Sequence, residues 1–123
     1  GESACFGPME TPTSVTFADH IYPIIQNRCA VPGCHDSESS TGIAFPDDDA
    51  EGARMQIVGV DWNTDTGMQL VAAGSPDNSY VWHKLTGTYL DVDGGGGALM
   101  PIGGMLCTPD LLHINKWIVQ GAN

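Results

Sequence analysis

The residues best suited to chemistry lie in one short stretch, 29–35, in which a histidine directly follows the second of two cysteines. A cysteine pair with an adjacent histidine is the pattern of covalent haem attachment, although the common form has a shorter gap between the cysteines. Each thiol can add across a haem vinyl group as a thioether, and the adjacent imidazole can reach the iron. The pattern therefore predicts one haem c attached to Cys29 and Cys34, with His35 as its first axial ligand.

The second axial ligand must come from a distant segment that closes over the other face of the haem. Met100, followed by Pro101 in a glycine-rich segment, is the preferred candidate. A thioether ligand stabilises ferrous iron and suits electron transfer. Met105 is the alternative methionine, while a histidine ligand would give a bis-histidine site. The histidines that remain for that role are His20, His83 and His113.

Aromatic and cationic side chains are the other candidates for contact with haem. Phe45, Tyr80 and Trp117 could pack on the macrocycle, and ordinary core packing explains each of them equally well. Haem also carries two propionate carboxylates, which favour cationic partners. The chain has only four Lys and Arg residues. Those considered for the propionates are Arg28, Arg54 and Lys84.

Cys5 and Cys107 complete the set of four cysteines. If haem occupies Cys29 and Cys34, an even pair remains. We expect Cys5 and Cys107 to form a disulfide, with two free buried thiols as the alternative. Without haem, the four cysteines could form two disulfides, or Cys29, Cys34 and His35 could bind zinc with a fourth group. Disulfides and haem c both favour an extracytoplasmic location, periplasmic or secreted.

The composition indicates a single small acidic domain. In 123 residues, of which 41% are hydrophobic, one core is expected. The net charge of −11 excludes nucleic acid and anionic lipid surfaces as partners and suits a basic protein surface, with solubility alone as the alternative. No apolar run is long enough to span a membrane. We expect the start at Gly1 to be a mature or trimmed N-terminus, from which an export signal or membrane anchor has been removed.

The segments around these residues predict a mainly α fold, with about four helices and long ordered loops. Residues 1–15 are expected to form an extended arm, and residues 16–123 the domain. The first helix is predicted over 17–27 from an apolar stripe, with Pro23 loosening the turn before it. Capping patterns predict further helices, with Asp49, Ser75 and Thr108 as caps at their starts and Gly87 and Gly121 at their ends. These lie over about 50–58, from Ser75 to Gly87, and from Thr108 to Gly121.

Taken in order, these stretches resemble small class-I-like cytochrome c domains of exported bacterial proteins, in the subgroup with a widened haem motif. The resemblance covers about residues 17–122. Besides the haem motif it rests on residues 21–25, 73–80, 84–85, 100–101 and 115–122. The chain departs from the family in the four-residue gap of the motif and in Ile102, where the ligand loop often has a second proline.

The resemblance implies a mainly helical, cytochrome c-like fold around one haem c. It also implies single-electron transfer between redox partners rather than catalysis, with Cys29 and Cys34 attached to haem and His35 and Met100 as axial ligands. The alternative is a haem enzyme or a peroxide- or gas-responsive haem domain with an open or non-methionine sixth position. A more remote alternative is a haem-free extracytoplasmic binding module stabilised by zinc or disulfides.

Overall fold

Four short α-helices joined by long irregular segments form the described part of the protein. The structure is a computed structural model, and it describes residues 5, 7–30, 34–39, 43–62, 68–92, 95–96, 99–101 and 105–123. The helices are α1 (Tyr22–Arg28), α2 (Ala50–Met55), α3 (Tyr80–Thr86) and α4 (Thr108–Val119). A π-helical turn, Phe17–Ile21, leads into α1, and 3-10 turns at Pro76–Asn78 and Thr88–Asp91 flank α3. The expected mainly α class is confirmed.

Extended backbone contributes little to the part of the chain that the structure describes. It has no β-strand, and three isolated bridges pair Val58 with Val71 and Gln69 with both Asp61 and Ser79. None of the described helices is long and apolar enough to cross a bilayer.

Two of the predicted helices differ from the structure because backbone groups pair elsewhere. The second helix ends at Met55 rather than near Val58, since the chain turns to pair with the segment around Val71: the amide of Val71 donates to Ile57 at 3.0 Å. The third helix is broken at Ser79, which is extended and fully buried. The amides that begin α3 instead pair with the irregular segment, that of Tyr80 donating to Gln69 at 3.0 Å.

The other helix ends follow local capping chemistry. Asp49 caps α2, its carboxylate accepting the amide of Gly52 at 2.9 Å. Gly87 ends α3 with a φ of +87°, a left-handed conformation that glycine adopts without a Cβ penalty. The last helix begins at Thr108 as an ordinary helical residue, so its predicted role as the cap was wrong. Cys107 is the cap, and its sulfur accepts the amide of Asp110 at 3.4 Å.

The apolar core joins the first helical segment to α4. Phe17, Ile21 and Ile24 are buried, and the ring of Phe17 lies 5.4 Å from that of Trp117, centroid to centroid. Burying each such side chain stabilises the fold by about 1.5–3 kcal/mol. Pro23 has no amide hydrogen to donate, and the turn before it is π-helical, in line with the loosening expected from the sequence.

The N-terminal arm lies along α4 and is bound to it at several points. Cys5 and Cys107 form a disulfide, the pairing expected from the sequence, with their Cα atoms 5.6 Å apart. The amide of Gly7 donates to the buried carboxylate of Asp110 at 3.0 Å. Further along the helix, the other arm contacts are Lys116 to the carbonyl of Pro12, and Gln120 to Thr13 and Val15. The arm is therefore an integral layer over the last helix.

The disulfide should contribute measurably to stability, because it closes a loop with a sequence separation of 102 residues. We predict that the double variant Cys5→Ser/Cys107→Ser loses about 2–4 kcal/mol in the free energy of unfolding, measured by denaturant titration. Serine retains an acceptor for the amide of Asp110, so the loss reports the covalent tether and not the helix cap. A denaturation midpoint equal to that of the unmodified protein would contradict this role.

Candidate cofactor site

Two cavities are both lined by Cys29, His35 and Met100. Cys29 and His35 are the two ends of the cysteine motif, and Met100 lies far from them in sequence. The smaller cavity has a volume of about 190 Å³, and its other lining residues are Asn27, Arg28, Cys34 and Pro101. The larger has a volume of about 250 Å³, and its other lining residues are Ile25, Ile43, Phe45, Ile57, Trp62, Leu70, Tyr80, Val81, Lys84 and Leu85. The structure thus brings the predicted histidine, the predicted methionine and Cys29 to both cavities, and Cys34 to the smaller one.

The end of α1 positions the cysteine motif. Cys29 is the residue that caps this helix, and its amide donates to Ile25 at 2.9 Å. Its carbonyl accepts the amide of His35 at 3.1 Å, so the two ends of the widened motif are joined directly. Residues 31–33, which form most of the four-residue gap, lie outside the described residues.

The imidazole of His35 is oriented by a backbone carbonyl. Its Nδ1 lies 3.0 Å from the carbonyl oxygen of Ile43. Because a carbonyl can only accept, Nδ1 carries the proton and Nε2 carries the lone pair. A histidine that binds a metal commonly donates its other ring nitrogen in this way, which fixes the ring and raises its basicity. The ring of Phe45 packs edge-on against it, with centroids 6.3 Å apart.

The segment that carries Met100 is attached to α3. The amide of Met100 donates to the carbonyl of Lys84 at 2.9 Å, and the peptide bond to Pro101 is cis. Met100 is therefore held at the cavities by α3, whereas the cysteine motif follows α1. Ile102, Gly103 and Gly104, which the sequence analysis assigned to this loop, lie outside the described residues.

The rival axial ligands do not line either cavity. Met105 has 40% of its surface exposed. His20 accepts the amide of Thr16 through Nδ1 at 3.0 Å, and His83 lies 2.7 Å from the carbonyl of Asp77. His113 is 1% exposed on α4, and neither of its ring nitrogens has a hydrogen-bond partner among the described residues. None of these side chains is placed beside His35.

The cysteines of the motif differ in their bonding from Cys5 and Cys107. Cys29 and Cys34 are free, not disulfide-bonded. Burial raises the pKa of the Cys29 thiol to about 12, with Arg28 lowering it and Cys34 raising it. Within the described residues, the one group of three potential metal ligands whose atoms lie within 4.8 Å of one another is Cys5, Cys107 and Asp110, where the two sulfurs are already bonded to each other.

The structure also separates the predicted cofactor contacts. Phe45 and Tyr80 line the larger cavity, whereas Trp117 packs in the core and lines neither cavity. Of the three cations considered for propionates, Arg28 lines the smaller cavity and Lys84 the larger. Arg54 is committed elsewhere, to an ion pair with Glu51 at 2.7 Å and to the carbonyl of Ala122.

Trp62 is a lining residue that the sequence analysis missed. Its indole stacks on the ring of Tyr80, with centroids 3.5 Å apart and an angle of 9° between the planes. Ile57 and Leu70 were missed in the same way. All three lie outside the helices of the structure, Ile57 just beyond the end of α2, so no helical face marks them as the wall of a cavity.

Comparison of the chain with protein-family models, with curated proteins and with solved structures gave no match. The assignment of a function therefore depends on the site itself.

The buried histidine of α4 should make stability depend on pH. Burial lowers the pKa of His113 from its ordinary value of 6.5, an effect that Asp110 opposes and that His20 and Lys116 reinforce. The unfolded chain then binds more protons than the folded one near and below pH 6.5. The free energy of unfolding should be greatest above this pH and fall as the pH is lowered through it.

We predict that His113→Leu weakens this decrease, as measured by denaturant unfolding at several pH values. His83→Gln, which removes a histidine outside the core, is the matched control and should retain the decrease. An equal pH dependence in His113→Leu and in the unmodified protein would show that His113 is not its source.

Proposed function

We propose that this protein is an exported monohaem c-type cytochrome with a cytochrome c-like fold, which carries single electrons between redox partners. In this proposal, Cys29 and Cys34 hold haem c covalently, and His35 and Met100 are its axial ligands. The observation that carries the proposal is that Cys29, His35 and Met100 line the same two cavities. No other methionine or histidine of the described chain shares that position.

Covalent attachment asks only for thiols and an approach to the vinyl groups. Each addition forms one carbon–sulfur bond, and the thiol hydrogen goes to the neighbouring vinyl carbon, so no external oxidant or reductant is consumed. Cys29 and Cys34 are both free, and both line the smaller cavity. Two thioethers would retain the cofactor covalently, independently of the packing around it.

The walls of the larger cavity suit an apolar macrocycle. Aliphatic side chains dominate the lining, and Phe45 and the stacked pair of Trp62 and Tyr80 add aromatic surface. Such a lining excludes water and lowers the local dielectric, two of the factors by which a protein sets a haem potential. Burial of this surface against a cofactor would also be favourable by the ordinary hydrophobic effect.

The ligand groups favour electron transfer over catalysis. Haem supplies a one-electron couple, and the chain supplies two ligand groups with their positions fixed by backbone hydrogen bonds: His35 through Ile43 and Met100 through Lys84. Neither cavity is lined by a described Asp or Glu, and the single histidine lining them is the proposed ligand. The acid–base pair that peroxide chemistry would use is therefore not found among these lining residues.

The partner and location follow from charge and from the disulfide. With 15 acidic and 4 basic side chains, the protein would be attracted to a redox partner with a basic docking surface. The Cys5–Cys107 disulfide suits an oxidising, extracytoplasmic compartment, where haem c is also found.

The identity of the sixth ligand can be tested by absorption spectroscopy of the ferric protein. We predict a weak far-red band from methionine bound to iron, lost in Met100→Ala and retained in the matched control Met105→Ala. The control methionine is partly exposed and lines neither cavity. Loss of the band in Met105→Ala but not in Met100→Ala would identify Met105 as the sixth ligand instead. High-spin iron that binds carbon monoxide readily in the unmodified protein would contradict the proposed electron carrier.

A further inference from the structure

One positively charged side chain lines the larger cavity among the described residues, and it belongs to Lys84 of α3. Its ammonium donates to the carbonyl oxygen of Gly96 at 2.9 Å and lies 4.3 Å from the centroid of the Tyr89 ring. Both partners attract a cation, but neither carries a negative charge. The ammonium is therefore held in place without a counter-ion from either group.

Among the described residues, no acidic side chain compensates this ammonium. No described Asp or Glu lines the cavity, and the one ion pair found among the described residues joins Arg54 to Glu51. Lys84 is only partly exposed, so part of the hydration of its ammonium is lost. A cation removed from water favours an anionic partner, because unpaired burial is unfavourable. The chain has a net charge of −11, yet none of the described acidic side chains forms an ion pair with Lys84.

The backbone of the same residue holds the methionine segment. The carbonyl of Lys84 accepts the amide of Met100 at 2.9 Å, while its side chain reaches Gly96. The cation is thus on the wall from which the proposed axial ligand enters the cavity. A cofactor bound between His35 and Met100 would present its own charged groups within this cavity.

We propose that Lys84 binds a carboxylate of the cofactor, namely one of the two haem propionates, and is a positioning residue that raises the reduction potential. This inference rests on the proposed haem function. An ammonium has three hydrogens to donate, so it can bind a carboxylate and retain Gly96. Its positive charge opposes the extra positive charge of ferric iron and so favours the ferrous form.

The test compares reduction potentials of haem-loaded variants. Lys84→Gln and Lys84→Met remove the charge, Lys84→Arg retains it, and Lys116→Gln removes a cation that is bound to the arm at Pro12. We expect the two neutral Lys84 variants to shift the ferric-to-ferrous ratio at a fixed potential by about threefold to tenfold toward ferric. This equals about 30–60 mV for a one-electron couple. Lys84→Arg and Lys116→Gln should stay within about twofold of the unmodified protein.

A second readout separates carboxylate binding from a purely structural role. Redox-difference infrared spectra should show a shift of the propionate carboxylate band in Lys84→Gln, and no shift in Lys116→Gln. Equal potentials and equal carboxylate bands in these two variants would overturn the inference. So would a potential that depends on the concentration of a small buffer anion only when Lys84 is present, because the lysine would then bind a solution anion. If the unmodified protein carries no haem, the proposed function itself fails.

Discussion

The proposed haem site depends on one constraint. A methionine from late in the chain must be brought to the cysteine–histidine motif that follows the first helix. The amide of Met100 donates a 2.9 Å hydrogen bond to the carbonyl of Lys84, and this bond satisfies the constraint because it attaches the methionine segment to α3. On the other side, the carbonyl of Cys29 joins the ends of the motif through the amide of His35. Neither attachment depends on side-chain packing inside the cavities. The positions of the two proposed ligands are therefore set by backbone geometry, and in the proposed function the apolar walls remain available to contact the cofactor.

Two sides of the apolar core make different contributions to the structure. Phe17, Ile21 and Trp117 form a filled core between the first helical segment and α4, and the arm covers α4 from outside. The side of the molecule lined by α3 and the irregular segment around Leu70 contributes the walls of the larger cavity. This division explains why Trp117, an attractive haem contact by residue type, serves the core instead. Leu70, Tyr80 and Leu85 line this cavity and are buried in the same apolar core as Trp117, so the cavity is formed by one side of that core.

The sequence predicted those features that depend on local chemistry. Asp49 and Gly87 marked helix ends through their capping roles, and the apolar stripe from Phe17 identified the buried face of the first helix. It could not predict the break at Ser79 or the early end of α2, because both arise when backbone amides pair with a segment that has no periodic pattern. The stacking of Trp62 on Tyr80 could not be predicted from the sequence for the same reason.

In the proposed function, partner recognition and cofactor binding use charges of opposite sign. Acidic side chains dominate the composition, whereas Arg28 and Lys84, half of the Lys and Arg residues, line the two cavities. In the proposed function, the acidic side chains would attract a basic partner, and Arg28 and Lys84 would be available to the anionic groups of the cofactor. The remaining two cations, Arg54 and Lys116, bind backbone carbonyls near the chain ends, at Ala122 and Pro12.

The most direct test of the central claim is peptide mapping by mass spectrometry, after alkylation of free thiols and proteolysis of the purified protein. We expect one haem on the peptide that contains Cys29 and Cys34, and a disulfide-linked pair of peptides that contain Cys5 and Cys107 and carry no haem. Recovery of Cys29 and Cys34 as alkylated, haem-free residues from protein expressed with a haem-attachment system would contradict the account.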